Sequence, residues 1–445
     1  MSAPPSLPPP SSWPDLADPD LYADGDPYAA WRGLREHAPV HWQPAGDGLG
    51  FWSVTRYADV ERVLEDHASF TSERGTLLSL LGRHDPAGGR QMAVTDPPRH
   101  DRMRAPLHRA LRLRSAEAHS EEIRAGIHEL LSGTGTAGSA GALGPAGSAG
   151  VAGSAGRAGS GSEDRTFDLS AACAQLPFVV LGPLLGLPAR DRPHLVRLAL
   201  MCAAEDDPEH QLPEGPEATL ERGHRELFAY FADLVRDRRR RPREGDGGDL
   251  VDVLLAMEVD GVRLTPGEVL SNCYSLLLGA SVTLAHVPPA AVLELTRTGG
   301  YHDWATRPEL LDSGVEEALR WASPARHFMR HARRPLDLAG VPVAAGDPVV
   351  AWLGSANRDG AVFARPDTFD PARRPNRHLA FGAGPHYCAG AGIARVTLRL
   401  FFAELFARYA EIEVTGPPRR ARSTFLSGIT RLPVRVRPRQ KEVAR

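Results

Sequence analysis

Residues 381–390, FGAGPHYCAG, constrain this chain more than any other stretch, because they set one cysteine in a glycine-rich turn that leads straight into a helix. Residues 389–409 are rich in Ala, Leu and Arg and hold no proline, so Cys388 is expected near a helix N-terminus, where aligned amides favour a thiolate. Gly382, Gly384 and Gly390 carry no Cβ, which lets the backbone turn tightly and press against something flat. A thiolate there is suited to ligating a metal. The plainer alternative is a buried structural cysteine at a helix start.

The run resembles the haem-binding loop of the cytochrome P-450 family, F-G-x-G-x-H-x-C-x-G, matching at Phe381, Gly382, Gly384, His386, Cys388 and Gly390. The resemblance implies the cytochrome P-450 fold, mainly α-helical with small β-sheets. It also implies haem b with Cys388 as the axial thiolate, a ligand that pushes electron density onto iron. It extends from about residue 26 to residue 436, so the chain of 445 residues is expected to form a single domain.

Composition agrees with that class and excludes others. A net charge of −3 argues against a general nucleic-acid binder. Cys173, Cys202, Cys273 and Cys388 form no C-x-x-C pair and no disulfide framework, so a reduced, cytoplasmic setting is expected. The N-terminus has neither a basic nor an apolar leader segment, and no run reads as the ~20 apolar residues that cross a bilayer, so no membrane association is expected.

Residues 27–38 and 57–66 read as amphipathic helices, with strand candidates at 40–42 and 51–54. From Pro98 onward the pattern is mostly helical. The exceptions are a small β region at 335–350 and a hairpin at 423–437 turning at Ser427 and Gly428. Residues 133–162 are almost wholly Gly, Ala and Ser; without large apolar side chains they cannot offset their ordering entropy, so a disordered surface insertion is expected. The basic run 236–243, RDRRRRPR, ends a long helix and reads as a solvated terminus.

Further motifs acquire meaning from the resemblance. Glu317 and Arg320, three apart, share a helix face about seventy residues before the cysteine and match the family's Glu-x-x-Arg, which supports the haem loop. Alone such a pair reads as an ordinary salt bridge. Arg373 is expected as the third member of that network, with Arg374 its rival. Residues 95–104, TDPPRHDRMR, resemble the family's D-P-P-x-H-x-x-x-R, and at 100° per residue His100 and Arg104 point one way while Arg102 and Arg109 point the other. By resemblance, His100, Arg104, Arg330 and His386 bind the haem propionates. The outward arginines, with Arg112, are expected to receive an acidic electron donor, either ferredoxin with its reductase or a flavodoxin.

The helix expected from Pro266 to about Ala285 contains LLLGASVTL, where relatives carry an acid followed by threonine. Thr283 matches the threonine that positions oxygen and its proton supply, so it is the expected catalytic residue, but Val282 stands where the acid would be. Pro288 and Pro289 predict a kink or break. His286 reads as a polar residue on the outer helix face. The substrate pocket is expected from Ala280, Ala325, Arg326, His327, Phe425 and Leu426, largely apolar as small-molecule sites are; Arg326 and His327 are the two polar exceptions, suited to a substrate carboxylate or, for His327, a propionate. The implied activity is insertion of one oxygen atom of O2 into a small organic substrate, with arginine-rich composition suggesting bacterial secondary-metabolite tailoring. The alternatives are oxidative coupling, desaturation or N-oxidation, and an auxiliary protein that activates a partner without catalysing.

Overall fold

The computed structural model describes residues 13–46, 48–113, 120–132, 164–241 and 248–440; the expected insertion at 133–162 lies outside them. The named elements are α1 (Pro27–His37), β1 (Val40–Pro44), β2 (Gly50–Val54), α2 (Tyr57–Glu65), β3 (Phe70–Thr71), α3 (Arg99–Leu113), β4 (Arg165–Asp168), α4 (Arg192–Ala203), α5 (Pro216–Arg240), α6 (Pro266–Ser281), α7 (Val287–Thr298), α8 (Leu311–Ala322), β5 (His327–Ala332), β6 (Pro348–Trp352), α9 (Ala391–Arg408), β7 (Tyr409–Val414), β8 (Arg419–Arg420), β9 (Ile429–Arg431) and β10 (Pro433–Pro438). Helices dominate, and the sheets are small, as the sequence predicts.

Asp26 starts α1 by accepting the Tyr28 and Ala29 amides, with Pro27 at the first helical position. The largest sheet runs β1-β2-β6-β5-β3. Its one parallel pair, β2 with β6, brings together segments almost three hundred residues apart, pairing Trp52 with Val349. The expected C-terminal hairpin is shifted. Arg419 pairs with Arg431 across β8 and β9, whereas β10 leaves to pair with β7 and β4, so Ser427 and Gly428 lie in a wide connection rather than a tight turn.

α6 ends at Ser281, a 3-10 turn covers Leu284–His286, and α7 begins at Val287. The break therefore falls before the prolines. Pro288 and Pro289 occupy the first turn of α7, where backbone amides have no helical partner and a missing donor costs nothing. Residues 266–298 are together apolar and long enough to cross a membrane by composition, but most of that stretch is buried inside the molecule.

The basic run ending α5 is partly a clamp. Arg238 is buried and donates to both oxygens of Asp249 at 2.8 and 2.7 Å, with Asp252 at 2.8 Å.

Behind the cysteine loop lies a buried ion network. Glu317 and Arg320 on α8 are both fully buried, joined by two 2.8 Å hydrogen bonds. Arg373 donates its Nε to Glu317 at 3.0 Å, the Asp370 amide donates at 2.8 Å and the Asn376 side chain at 3.1 Å. Arg320 in turn donates to the carbonyls of Asn357 and Pro366, both at 2.8 Å. Arg373, not the exposed Arg374, completes the set. Removing one member of a buried pair leaves an uncompensated charge, which costs about 3–5 kcal/mol. Glu317→Gln should accordingly lower the free energy of unfolding by about that much, measured by denaturant titration; a loss within the range of a surface substitution would refute the network's role.

Candidate haem-thiolate site

The cysteine loop is closed on itself by the Cys388 amide, which donates to the Phe381 carbonyl at 2.9 Å. Gly384 has φ +66°, and a Cβ there would lie 2.7 Å from the Glu65 Cα and 2.8 Å from the Leu64 carbonyl oxygen. The loop is thus seated against the end of α2, and only glycine permits it. α9 begins three residues after the cysteine, at Ala391.

Cys388 is half-buried, whereas Cys173, Cys202 and Cys273 are buried. Burial raises the thiol pKa, while the Gly390 amide, Arg104 and Arg395 pull it down; burial wins. The helix N-terminus therefore does not by itself produce a thiolate.

The four residues expected at the propionates are spread over three elements, and the structure draws them into one electrostatic neighbourhood. His100, 1% exposed, places its ring 4.4 Å from that of His386. His386 faces the Ser72 hydroxyl at 3.2 Å, and burial, together with the charges of Arg330, His100 and Arg104, holds its pKa down to about 2. Arg330, on β5 and 4% exposed, makes its one side-chain hydrogen bond among the described residues to the adjacent Met329 carbonyl at 2.9 Å. Burial lowers its pKa to about 10. The nearby carboxylate, Asp96, is turned to the Thr71 hydroxyl, the Ser72 amide and Arg333. His100 Nδ1 meets the Asp101 carboxylate at 2.9 Å, whereas the buried Arg330 guanidinium meets no carboxylate at hydrogen-bond distance among the described residues, and a buried guanidinium without an anion forfeits its hydration. The two carboxylates of a bound cofactor would supply that anion, so the residues present fit haem.

On α6, Gly279 borders open space. A Cβ on Gly279 would meet no atom within 4 Å, and Ala280 is half-buried beside it. Thr283 donates its hydroxyl to the Gly279 carbonyl at 2.8 Å. Val282, 3% exposed, packs with Ala199, Ala203, Ala204, Ala421 and Leu426. Ala325 bridges to Leu426, which is fully buried, and Phe425 is half-buried against the His327 and Phe328 rings.

Three expectations are overturned. Arg326 does not face a ligand: its Nη1 donates to the carbonyls of Ser423, at 2.6 Å, and Leu426, and its guanidinium lies 4.6 Å from the Tyr22 ring centre. His327 is likewise engaged at both nitrogens, accepting the Leu78 amide at 3.1 Å through Nε2 and meeting the Thr424 carbonyl at 3.3 Å through Nδ1. Burial depresses its pKa to about 3. Both side chains tie the 423–426 connection to the main sheet, leaving neither free for a substrate or a propionate. His286 is not on an outer face: its ring is packed so closely on Gly428 that a Cβ there would lie 3.0–3.2 Å from three ring atoms. Burial holds its pKa at about 4. Arg102 and Arg109 are exposed on the outward face, as expected, with Arg102 also paired to Asp260.

Sequence reasoning missed Glu316, Tyr387 and Arg395, which surround the cysteine loop. Glu316 accepts Nε and Nη2 of Arg395 at 2.7 and 2.9 Å, and Arg395 Nη1 donates to the Tyr387 hydroxyl at 3.1 Å. Arg395 lies in the second turn of α9, five residues into the helix that follows the loop.

Comparison with known proteins agrees with this geometry. The family model described as Cytochrome P450 matches residues 301–435. The chain is 32% identical over 425 residues to cytochrome P450 NovI of Streptomyces niveus, covering 95% of this chain and 96% of that protein. It is 30% identical to linalool 8-monooxygenase of Pseudomonas putida, covering 96% and 99%. Among solved structures it resembles P450 OxyD, described as involved in the biosynthesis of vancomycin-type antibiotics, with TM-score 0.78, 31% identity and coverage of 96% and 100%. Mycobacterium marinum CYP268A2 in complex with pseudoionone gives TM-score 0.81 at 27% identity, covering 97% and 100%. With the family's loop, fold and near-full-length relatives all present, this chain belongs to the cytochrome P450 family of oxidoreductases.

Proposed function

We propose that this protein is a haem-thiolate monooxygenase that inserts one oxygen atom of O2 into a small organic substrate, in a tailoring step of bacterial secondary metabolism. The observation that carries the reading is Cys388 in its glycine-rich loop together with the buried Arg330 guanidinium, which no carboxylate meets at hydrogen-bond distance among the described residues. Haem b would be held by Cys388 at iron and by His100, Arg104, Arg330 and His386 at its propionates. When bound, the haem supplies activation of dioxygen by electrons from a separate donor.

Thr283 has the catalytic part, holding a proton at its Oγ1 near the open space beside Gly279. Since its O–H is directed to the Gly279 carbonyl, the oxygen lone pairs remain available to accept a hydrogen bond from water or from a substrate hydroxyl. That source must replace the acid that Val282 displaces. The apolar surfaces of Ala280, Ala325 and Phe425 exclude water and give the substrate its contacts, while the fully buried Leu426, expected in the pocket, packs behind them with Val282. The likeness to OxyD supports an antibiotic-type tailoring step. For the donor we favour a ferredoxin with its reductase, or a flavodoxin, in the cytoplasm; the buried free thiols of Cys173, Cys202 and Cys273 suit a reducing compartment.

Oxidative coupling, desaturation or N-oxidation is the second reading, favoured by one observation, the apolar seat of Val282. A non-catalytic auxiliary role is disfavoured by the intact cysteine loop and its buried ion network.

Cys388→Ala should abolish the carbon monoxide band diagnostic of thiolate ligation in the reduced protein; its persistence would overturn the assignment of the iron ligand. Thr283→Ala should raise the peroxide released per electron consumed, read in a coupled turnover assay, and an unchanged ratio would remove Thr283 from proton delivery. Val282→Asp should not restore an acid relay, because the new carboxylate enters an apolar cluster with no partner. Its expected result is a lower melting temperature with no gain in product per electron, and a gain would show that the side chain at this position reaches the site.

A further inference from the structure

The guanidinium of Arg395 touches both residues that fix the position of Cys388. Its Nη1 donates to the hydroxyl of Tyr387, the residue immediately before the cysteine, at 3.1 Å. Its Cζ lies 4.6 Å from the ring centre of Phe381, whose carbonyl receives the Cys388 amide. The remaining donors, Nε and Nη2, form a fork on the two carboxylate oxygens of Glu316 on α8. Glu316 is itself fixed by His378 Nε2 at 3.1 Å. Against the cost of burial, the hydrogen bonds from His378 and Arg395 hold the Glu316 carboxyl down to about 2, so it is ionised. A planar cation is thus locked by bidentate bonding, stacking and a third hydrogen bond against one loop.

In the reading above, Arg104 faces a propionate, whose negative charge offsets it. Arg395 has no such cofactor partner, and Glu316 offsets it from the far side of its guanidinium fork.

We propose that Arg395 is a positioning residue for the Cys388 ligand, presenting a fixed positive charge to the cysteine loop that limits how much electron density the thiolate passes to iron, with Glu316 setting the size of that effect. The inference rests on the haem-thiolate reading. A positive charge stabilises the more negative, reduced state of a thiolate-bound iron, so its loss makes reduction harder. The carboxylate of Glu316 acts with the opposite sign. A merely structural role for the pair predicts that removing either partner loosens the loop in the same way, and this difference makes the proposal testable.

The test is a spectroelectrochemical titration of the haem-loaded protein with small-molecule mediators, together with the carbon monoxide stretching frequency of its reduced complex. Arg395→Met should move the ferric–ferrous equilibrium about tenfold toward ferric iron, 59 mV for a one-electron couple, and lower the carbon monoxide stretch. Arg395→Lys should restore most of the shift, and Glu316→Gln should move the equilibrium toward ferrous iron. Shifts of the same sign in Arg395→Met and Glu316→Gln overturn the proposal, as does a change below about twofold in the methionine variant. So does an arginine that serves only to receive the electron donor, for which reduction by a protein partner slows while the mediator-measured potential stays put. If Arg395→Met does not retain haem, Glu316→Gln decides by its sign. Absence of the thiolate band in the unmodified protein would instead defeat the haem-thiolate reading itself.

Discussion

A single buried carboxylate, Glu317, organises the region on which the cysteine loop rests. It takes hydrogen bonds from Arg320, Arg373, Asn376 and the Asp370 amide, while the remaining donors of the two arginines run to backbone carbonyls between residues 357 and 368. Those carbonyls belong to irregular chain with no strand or helix partner to satisfy them. Two planar cations can serve many carbonyls at fixed angles, and one carboxylate neutralises part of their charge without admitting water. The loop before Cys388 is therefore held by polar geometry where apolar packing alone would leave its backbone unsatisfied.

The neighbouring residue extends this logic to the cysteine itself. Glu316 and Glu317 are adjacent on α8, one turned to the irregular chain and the other to Arg395 and the loop. Consecutive helical positions are 100° apart, so one helix addresses two surfaces with two carboxylates. The buried guanidinium of Arg330 follows an opposite design. There, charge is buried without an anion, an arrangement whose cost is recovered only when a ligand brings negative charge. The two halves of the site differ in this respect: one is complete in itself, the other is built to be completed.

Much of this was legible in the sequence because local patterns and a dense motif coincide. The loop at 381–390, the face shared by His100 and Arg104, and the Glu317–Arg320 spacing all depend on residues close in the chain, where helical geometry fixes the outcome. What failed depends on long-range packing. Nothing local to Arg326 or His327 announces that residues 423–426 fold back to take their hydrogen bonds, and nothing local to His286 announces that Gly428 will press against its ring. The C-terminal hairpin was shifted for a similar reason, since β10 finds partners in β7 and β4 that lie far from it in sequence. Arg395 was overlooked because an arginine in an alanine-rich helix reads as surface until the carboxylate it meets is known.

The break after α6 joins the structural and functional accounts of Thr283. A helix that stops at Ser281 leaves its last carbonyls without amide partners. The structure answers locally: the Val282 amide reaches Leu278, the Thr283 amide reaches Ala280, the Ser281 hydroxyl donates to Leu277 and the Thr283 hydroxyl to Gly279. Thr283 is thus a cap for a broken helix as well as the side chain beside the open space at Gly279. The two roles are compatible, since a hydroxyl whose proton is committed to a carbonyl is oriented, and its lone pairs are then aimed rather than free to rotate. An acid at position 282 would have little to add in this arrangement. Its side chain would be directed into the apolar cluster formed by α4 and the connection near Leu426, away from the space where a proton is needed. The absence of the usual acid is therefore consistent with the path of the chain at this break, and under the proposed function protons would come from what enters the space, solvent or substrate, rather than from the helix.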